Sequence, residues 1–303
     1  MDQFVIETDD LSLHYPRKRA LHALSLKISR GRIHSIIGAN GAGKSSLFRV
    51  LLGFESPTDG RARILGCDSR RLDSRTRARI GFVNEEHTLP GWLRVDELCD
   101  MQRRQYAKWN EARYREVVRN FNVQPSQKIA QLSRGERAGL NLAIAMAQSP
   151  ELLILDEPTL GLDVVAKRAF LESLMSVAQS DESTIVYCSH QMDEIERVAD
   201  NLIILERGEL RHMSAPDEFC GRVRLWIADF PFRDPDPDQL PGVLQRQKID
   251  GLCHYVVFDQ ADDFGARLRL LGARSVNAMP VSLDRAVNGF LARGHVSTLS
   301  AAA

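Results

Sequence analysis

Short apolar runs alternate with segments of helical period along the first two thirds of the chain. RIHSIIG (32–38) is a compact apolar run, and KSSLFRVLLG (44–53) after it repeats its apolar positions at helical spacing. ELLILDE (151–157) precedes a long helical pattern around 165–178, and further apolar strands follow at STIVYCS (183–189) and NLIILE (201–206). Strand and helix in alternation predict an α/β fold with a largely parallel central sheet.

Two stretches break the pattern. Between about 95 and 135 the texture is charged, helical in period and poor in β-branched runs, which predicts a helical subdomain inserted into a domain of residues 1–215. After 215 the composition shifts. PFRDPDPDQLP (231–241) reads as a turn or linker, and a small α+β domain is expected within 216–303. Its strongest local signal is a pair of alternating runs, GVLQRQKI and LCHYVVF, about the turn Asp250-Gly251, which suits a hairpin. A helix near 262–272, a strand near 275–279 and a helix near 282–293 follow, and the HVSTLSAAA end is expected to be loose.

Composition narrows the function. With 303 residues and 44% hydrophobic content the chain has a full-sized core. Forty basic and forty acidic residues cancel, so no bulk charge recommends a nucleic-acid partner, and none is expected. The five cysteines, Cys67, Cys99, Cys188, Cys220 and Cys253, are scattered and form no CxxC pair, which argues against a disulfide framework or zinc knuckle. MDQFVIETDD lacks the features of an export signal, and LAIAMA (142–147) is far too short to cross a bilayer. Arg103, Arg104, Lys108, Arg113, Arg115 and Arg119 read as the solvated face of the helical subdomain.

The chemistry concentrates in two motifs. GANGAGKSS (38–46) fits GxxxxGK[ST] and lies between a strand and a helix, where backbone amides and the helix dipole hold phosphate. Lys44 would bridge the β- and γ-phosphates and Ser45 would offer its hydroxyl to Mg²⁺. ELLILDEP (151–158) ends a buried strand in two carboxylates: Asp156 would hold Mg²⁺, and Glu157 would polarise an attacking water.

Together with LSRGE and LLILDEPTLGLD in this order, these motifs resemble the nucleotide-binding subunits of ATP-binding cassette (ABC) transporters over residues 3–215. The resemblance implies a P-loop NTPase (ABC ATPase) fold, ATP and Mg²⁺ as cofactors, and ATP hydrolysis by Glu157, His190 and Lys44. It implies ATP contacts by Tyr15, Gly38, Asn40, Gly41, Gly43, Lys44, Ser45 and Ser46, with Ser133, Gly135 and Asp163 reaching the nucleotide of a second subunit in trans. That second subunit is expected to be an identical copy. Two residues depart from the family pattern. Glu85 stands where a glutamine is usual and is a further Mg²⁺ candidate, and Arg134 replaces a signature glycine, free either to approach the nucleotide or to lie along the helix. LS[KR]G, NEEHTLPGW and the small carboxyl-terminal domain are similar to bacterial ATPases of the ABC-2 export type. These imply a separate membrane permease and a location on the cytoplasmic face of the inner membrane. A soluble ABC ATPase serving DNA or ribosomes is the alternative, but the insertion is too short for a long coiled coil and the chain holds a single cassette.

Overall fold

The computed structural model describes residues 3–180, 183–232, 234–236, 240–259 and 263–292. It falls into two compact units, Met1–Met213 and Ser214–Ala303.

In the first unit, β1 (Phe4–Tyr15), β2 (Lys18–Ser29), β4 (Asp59–Ile64) and β5 (Cys67–Asp68) form an antiparallel sheet in the order β2-β1-β4-β5. The register of β1 on β2 slips repeatedly around Leu11 and Leu13, where Asp10 takes a left-handed φ of 45°. Such irregularity twists the pair and lets its inner face close over a curved core. Thr8 bridges the strands, its hydroxyl donating to the Leu24 carbonyl at 2.8 Å.

The second sheet contains β3 (Ile33–Ile37), β6 (Ile80–Val83), β7 (Leu152–Asp156), β8 (Thr184–Cys188), β9 (Asn201–Glu206) and β10 (Glu209–Ser214) in the order β10-β9-β3-β8-β7-β6. The pairs β9-β3, β3-β8, β8-β7 and β7-β6 are parallel. Every residue of β3 and β8 is buried, as a parallel sheet covered on both faces requires. All five parallel strands therefore end on one side, where ligands of open α/β sheets bind.

Helices α1 (Lys44–Leu51), α2 (Ser74–Arg77), α6 (Val164–Ser180) and α7 (Met192–Val198) belong to the same unit, as do α3 (Val95–Gln105), α4 (Glu111–Asn120) and α5 (Arg134–Ala147) of the helical insertion. From Ala138 to its end α5 is buried throughout, and Gly139 admits Phe121 so closely that a Cβ there would sit 2.1 Å from the ring. Of the basic residues in the insertion, Arg103 pairs with Asp100 and Glu111, and Arg115 with Glu111.

The second unit contains α8 (Pro216–Gly221), β11 (Val223–Asp229), β12 (Val243–Ile249), β13 (Leu252–Phe258), α9 (Asp263–Leu270), β14 (Ser275–Met279) and α10 (Leu283–Ala292). Its antiparallel sheet runs β12-β13-β11-β14. The hairpin turns on Asp250 (φ 50°) and Gly251 (φ 82°), both left-handed, as a two-residue turn of this class demands.

The stretch rich in proline and aspartate, read as a turn or linker, lies inside the second unit. It joins β11 to β12, and β11 pairs with β13 on one side and β14 on the other. Asp234 in that stretch binds Arg246 and Lys248 of β12, both at 3.0 Å, and so fastens the connection to the sheet. The HVSTLSAAA end lies outside the described residues.

Candidate functional site

The P-loop leaves β3 at Gly38 and enters α1 at Lys44. Backbone packing dictates its glycines. A Cβ on Gly38 would meet the Leu205 carbonyl oxygen at 2.3 Å, and Gly43, which precedes the first turn of α1, has φ of 106°. Lys44 is 7% exposed and donates to the Gly38 carbonyl at 2.7 Å, with Glu157 Oε1 3.8 Å from its ammonium. The lysine is thus held inside the loop by groups that a phosphate can replace.

Lys18, Asn40, Gly41, Gly43, Lys44, Ser45, Ser46, Glu85 and Glu157 line a cavity of about 270 Å³ together with Ala20 and Ala42. Asp156 is joined to this lining through Ser45, accepting from its Oγ at 3.3 Å. Burial raises the pKa of Asp156; the Ser45 bond opposes this, and the charges of Glu157 and Glu85 reinforce it. The crowded oxygens suit a hard divalent cation. Among the described residues no three His, Cys, Asp or Glu side chains form a metal cage. Ser45 and Asp156 offer a sparse oxygen pair, so a divalent cation held there would take its other ligands from water or a bound anion.

Glu157 occupies a left-handed backbone conformation, φ 48°, which costs free energy for a residue with a side chain. Two bonds fix it there. Its N–H donates to the Cys188 carbonyl at 3.0 Å, and its carbonyl accepts from Leu160 N–H at 3.1 Å. The turn aims the carboxylate at the P-loop, and His190 Nδ1 lies 2.8 Å from Oε2. Cys188 is buried strand packing beneath this pair.

Ser133, Gly135 and Asp163 are not among the residues lining this cavity. They lie close together on neighbouring helix ends. Ser133 caps α5, accepting from Glu136 N–H at 3.2 Å while Glu136 accepts from Ser133 N–H at 2.8 Å, a reciprocal capping box. Asp163 accepts from the first turn of α6 through Val165 and Ala166 N–H, both at 2.9 Å. A Cβ on Gly135 would stand 2.8 Å from the Ala166 methyl. Arg134 Nη2 reaches the Glu85 carbonyl at 3.4 Å, and its guanidinium lies against Gly161.

Tyr15 ends β1 half-buried against the core of the first sheet and does not line the cavity. Two residues there escaped the sequence reasoning. Lys18 opens β2 and brings its ammonium to 3.2 Å from where a Gly41 Cβ would lie. No motif flags a lysine after a turn. Exchanging Lys18 for Ala is expected to raise the ATP dissociation constant roughly two- to fivefold, less in high salt, as measured by titration calorimetry. His87, two residues beyond Glu85, is buried with Nε2 2.8 Å from the Pro158 carbonyl. Burial lowers its pKa to about 4, so it is neutral and clips the Glu85 loop to the turn after Glu157.

Comparison with known proteins agrees with this geometry. Residues 21–160 match the ABC transporter family profile. The Nod factor export ATP-binding protein I of Rhizobium etli is 32% identical over 293 residues, spanning 92% of this chain and 90% of that protein. The daunorubicin resistance ATP-binding protein DrrA3 of Streptomyces coeruleorubidus is 30% identical over 223 residues, 72% of this chain and 70% of that one. A solved ATP binding subunit of an ABC transporter superposes with a TM-score of 0.63 at 27% identity, covering 71% of this chain and 91% of that chain. A glycine-rich loop around a buried lysine, paired carboxylates beside it and a relative matched over about nine tenths of both chains together place the chain in the ABC transporter family, as an ATP-hydrolysing subunit.

Proposed function

We propose that two copies of this chain close on two ATP molecules, each held between Lys44 of one copy and Ser133 of the other, and that hydrolysis reopens them to drive a separate export permease. The observation that carries this reading is the division of the site: the P-loop and Glu157 line one cavity, Asp156 and His190 are bonded to that lining through Ser45 and Glu157, and Ser133, Gly135 and Asp163 have no such bond among the described residues and cluster away from it. Half the ligand groups of a phosphate cage therefore await a nucleotide held elsewhere.

On binding, Lys44 exchanges the Gly38 carbonyl for phosphate oxygens, and Tyr15, Asn40 and the P-loop amides orient the nucleotide. Ser45 and Asp156, with Glu85 beside them, would hold Mg²⁺, which would supply positive charge against the phosphates. Glu157 accepts a hydrogen bond from the attacking water, and His190 keeps that carboxylate aimed. The free amides at the start of α5, at Ser133 and Gly135, favour the γ-phosphate of the partner copy.

Export rests on the names of the relatives, which speak of Nod factor export and daunorubicin resistance. Among the described residues no helix is long and apolar enough to cross a membrane; the separate permease is carried over from the relatives, whose names call them export ATP-binding proteins. Its docking place is a cavity of about 690 Å³ between the sheet and the helical insertion, lined by Arg75, Thr76, Arg79, Tyr106 and Lys108 among others. Attachment there puts the subunit on the cytoplasmic face of the membrane. In the test, the tagged chain is expressed with the polytopic membrane protein of a neighbouring gene and purified in detergent. The two are expected to elute together, and Arg75→Glu with Lys108→Glu to release the permease while the free subunit still hydrolyses ATP. Recovery of ribosomes or DNA with no membrane protein would favour the soluble alternative and end this proposal.

A further inference from the structure

Behind the Glu157–His190 pair lies a carboxylate that phosphate chemistry does not touch. Glu194, in the first turn of α7, is 0% exposed. A carboxylate so buried is costly unless donors meet its oxygens. Four side chains do. Thr159 Oγ1 lies 2.8 Å from both oxygens, Ser189 Oγ donates at 3.0 Å, the Tyr187 hydroxyl donates to Oε2, and Lys167 Nζ stands 2.9 Å from Oε1. Burial disfavours the Lys167 ammonium, yet its bonds to Glu194 and Asp193 outweigh that and raise its pKa. Burial first, and then the Glu194 charge, push the Tyr187 phenol well up, so its proton stays in place.

The origin of these donors matters more than their number. Thr159 follows Glu157 by two residues. Tyr187 and Ser189 lead directly into His190, and Ser189 Oγ also accepts from Gln191 N–H at 3.1 Å. Lys167 lies one turn beyond Asp163, whose carbonyl accepts from its N–H at 2.9 Å. One side chain thus grips the segment before the catalytic histidine, the turn after the catalytic glutamate and the start of α6.

We propose that Glu194 is a positioning residue for ATP hydrolysis, fixing Glu157, His190 and the Asp163 turn relative to one another without touching nucleotide. This inference rests on Glu157 and His190 acting as assigned above. The direct 2.8 Å contact between those two sets only their mutual distance; Glu194 sets where the pair stands with respect to Asp163. A displacement of about an ångström at reacting groups costs on the order of 100-fold in rate.

The test is Glu194→Gln in the full chain, which keeps shape while placing an amide among hydroxyl donors and an ammonium. Its kcat for phosphate release is expected to fall about 10- to 100-fold, with KM for ATP within about twofold of the parent and an ATP-bound dimer accumulating. Because Glu194 acts through Glu157, the double variant with Glu157→Gln should be no slower than Glu157→Gln alone. An unchanged kcat, a KM rise matching the lost rate, or additive losses in the double variant overturn the proposal. Should Glu194→Gln fail to fold, Thr159→Val and Tyr187→Phe each remove one donor and leave the carboxylate. A severalfold lower kcat at unchanged KM is then expected from Thr159→Val, and unaltered kcat in both variants is the overturning result. Glu157→Gln separates the two assignments: if it hydrolyses normally the base is misassigned, whereas an inert Glu157→Gln beside a fully active Glu194→Gln removes only the positioning role.

Discussion

Glu157→Gln is expected to bind ATP and Mg²⁺ as the parent does, to release phosphate about 10²- to 10⁴-fold more slowly, and to accumulate as an ATP-bound dimer. The amide has the shape of the carboxylate and can still face His190 Nδ1, now 2.8 Å from Oε2. It cannot take a proton from water. The left-handed turn at residue 157 is held by backbone bonds to Cys188 and Leu160, which the substitution leaves alone, so the loss isolates chemistry from folding. Loss of the carboxylate also removes a negative group 3.8 Å from Lys44, which favours the bound triphosphate. Single-turnover phosphate release and size-exclusion chromatography with and without ATP measure both effects. Phosphate release within about tenfold of the parent would mean that another group activates the water, since a positioned base supplies 10²-fold or more.

Much of this site is legible in the sequence because local rules govern it. The P-loop needs glycines where backbone approaches backbone, as at Gly38, and where φ is positive, as at Gly43, so spacing alone betrays it. The hairpin at Asp250-Gly251 is legible for the same reason. The first antiparallel sheet is less so. β1 carries Asp9 and Asp10 at its centre, and its alternation breaks wherever the register slips, so only its last residues read as a strand. β11 hides because a proline-rich connection follows it and its partners come much later in the chain. Glu194 is the sharpest case. In MDEIERV it has the look of one more acid on a surface helix, and its burial is decided by Thr159, Tyr187 and Lys167, none of them near it on α7. Lys18 likewise acquires meaning only when the turn after β1 folds over Gly41. Motif spacing captures contacts made along the chain; contacts made across it depend on packing.

The shared cage makes a prediction that no single-chain site can meet. Lys44→Ala removes the P-loop cation, and Ser133→Asp places a carboxylate where the partner's γ-phosphate should lie. Aspartate caps a helix as well as serine does, so α5 keeps its N-terminus and the second variant loses charge complementarity rather than structure. Each variant alone is expected to hydrolyse ATP about 10²-fold more slowly than the parent, or worse. Mixed in equal amounts they should recover activity. In a mixed pair, one cavity joins the damaged P-loop to the damaged signature, and the other joins intact Lys44 to intact Ser133. Random pairing through a two-fold interface makes about half the dimers mixed with one sound site each, so about a quarter of parental turnover returns. The assay is steady-state phosphate release across mixing ratios, and its maximum at equal amounts marks complementation. If the mixture stays as inactive as its components, Ser133 does not serve the nucleotide of a second copy, and residues 132–136 serve only to cap α5.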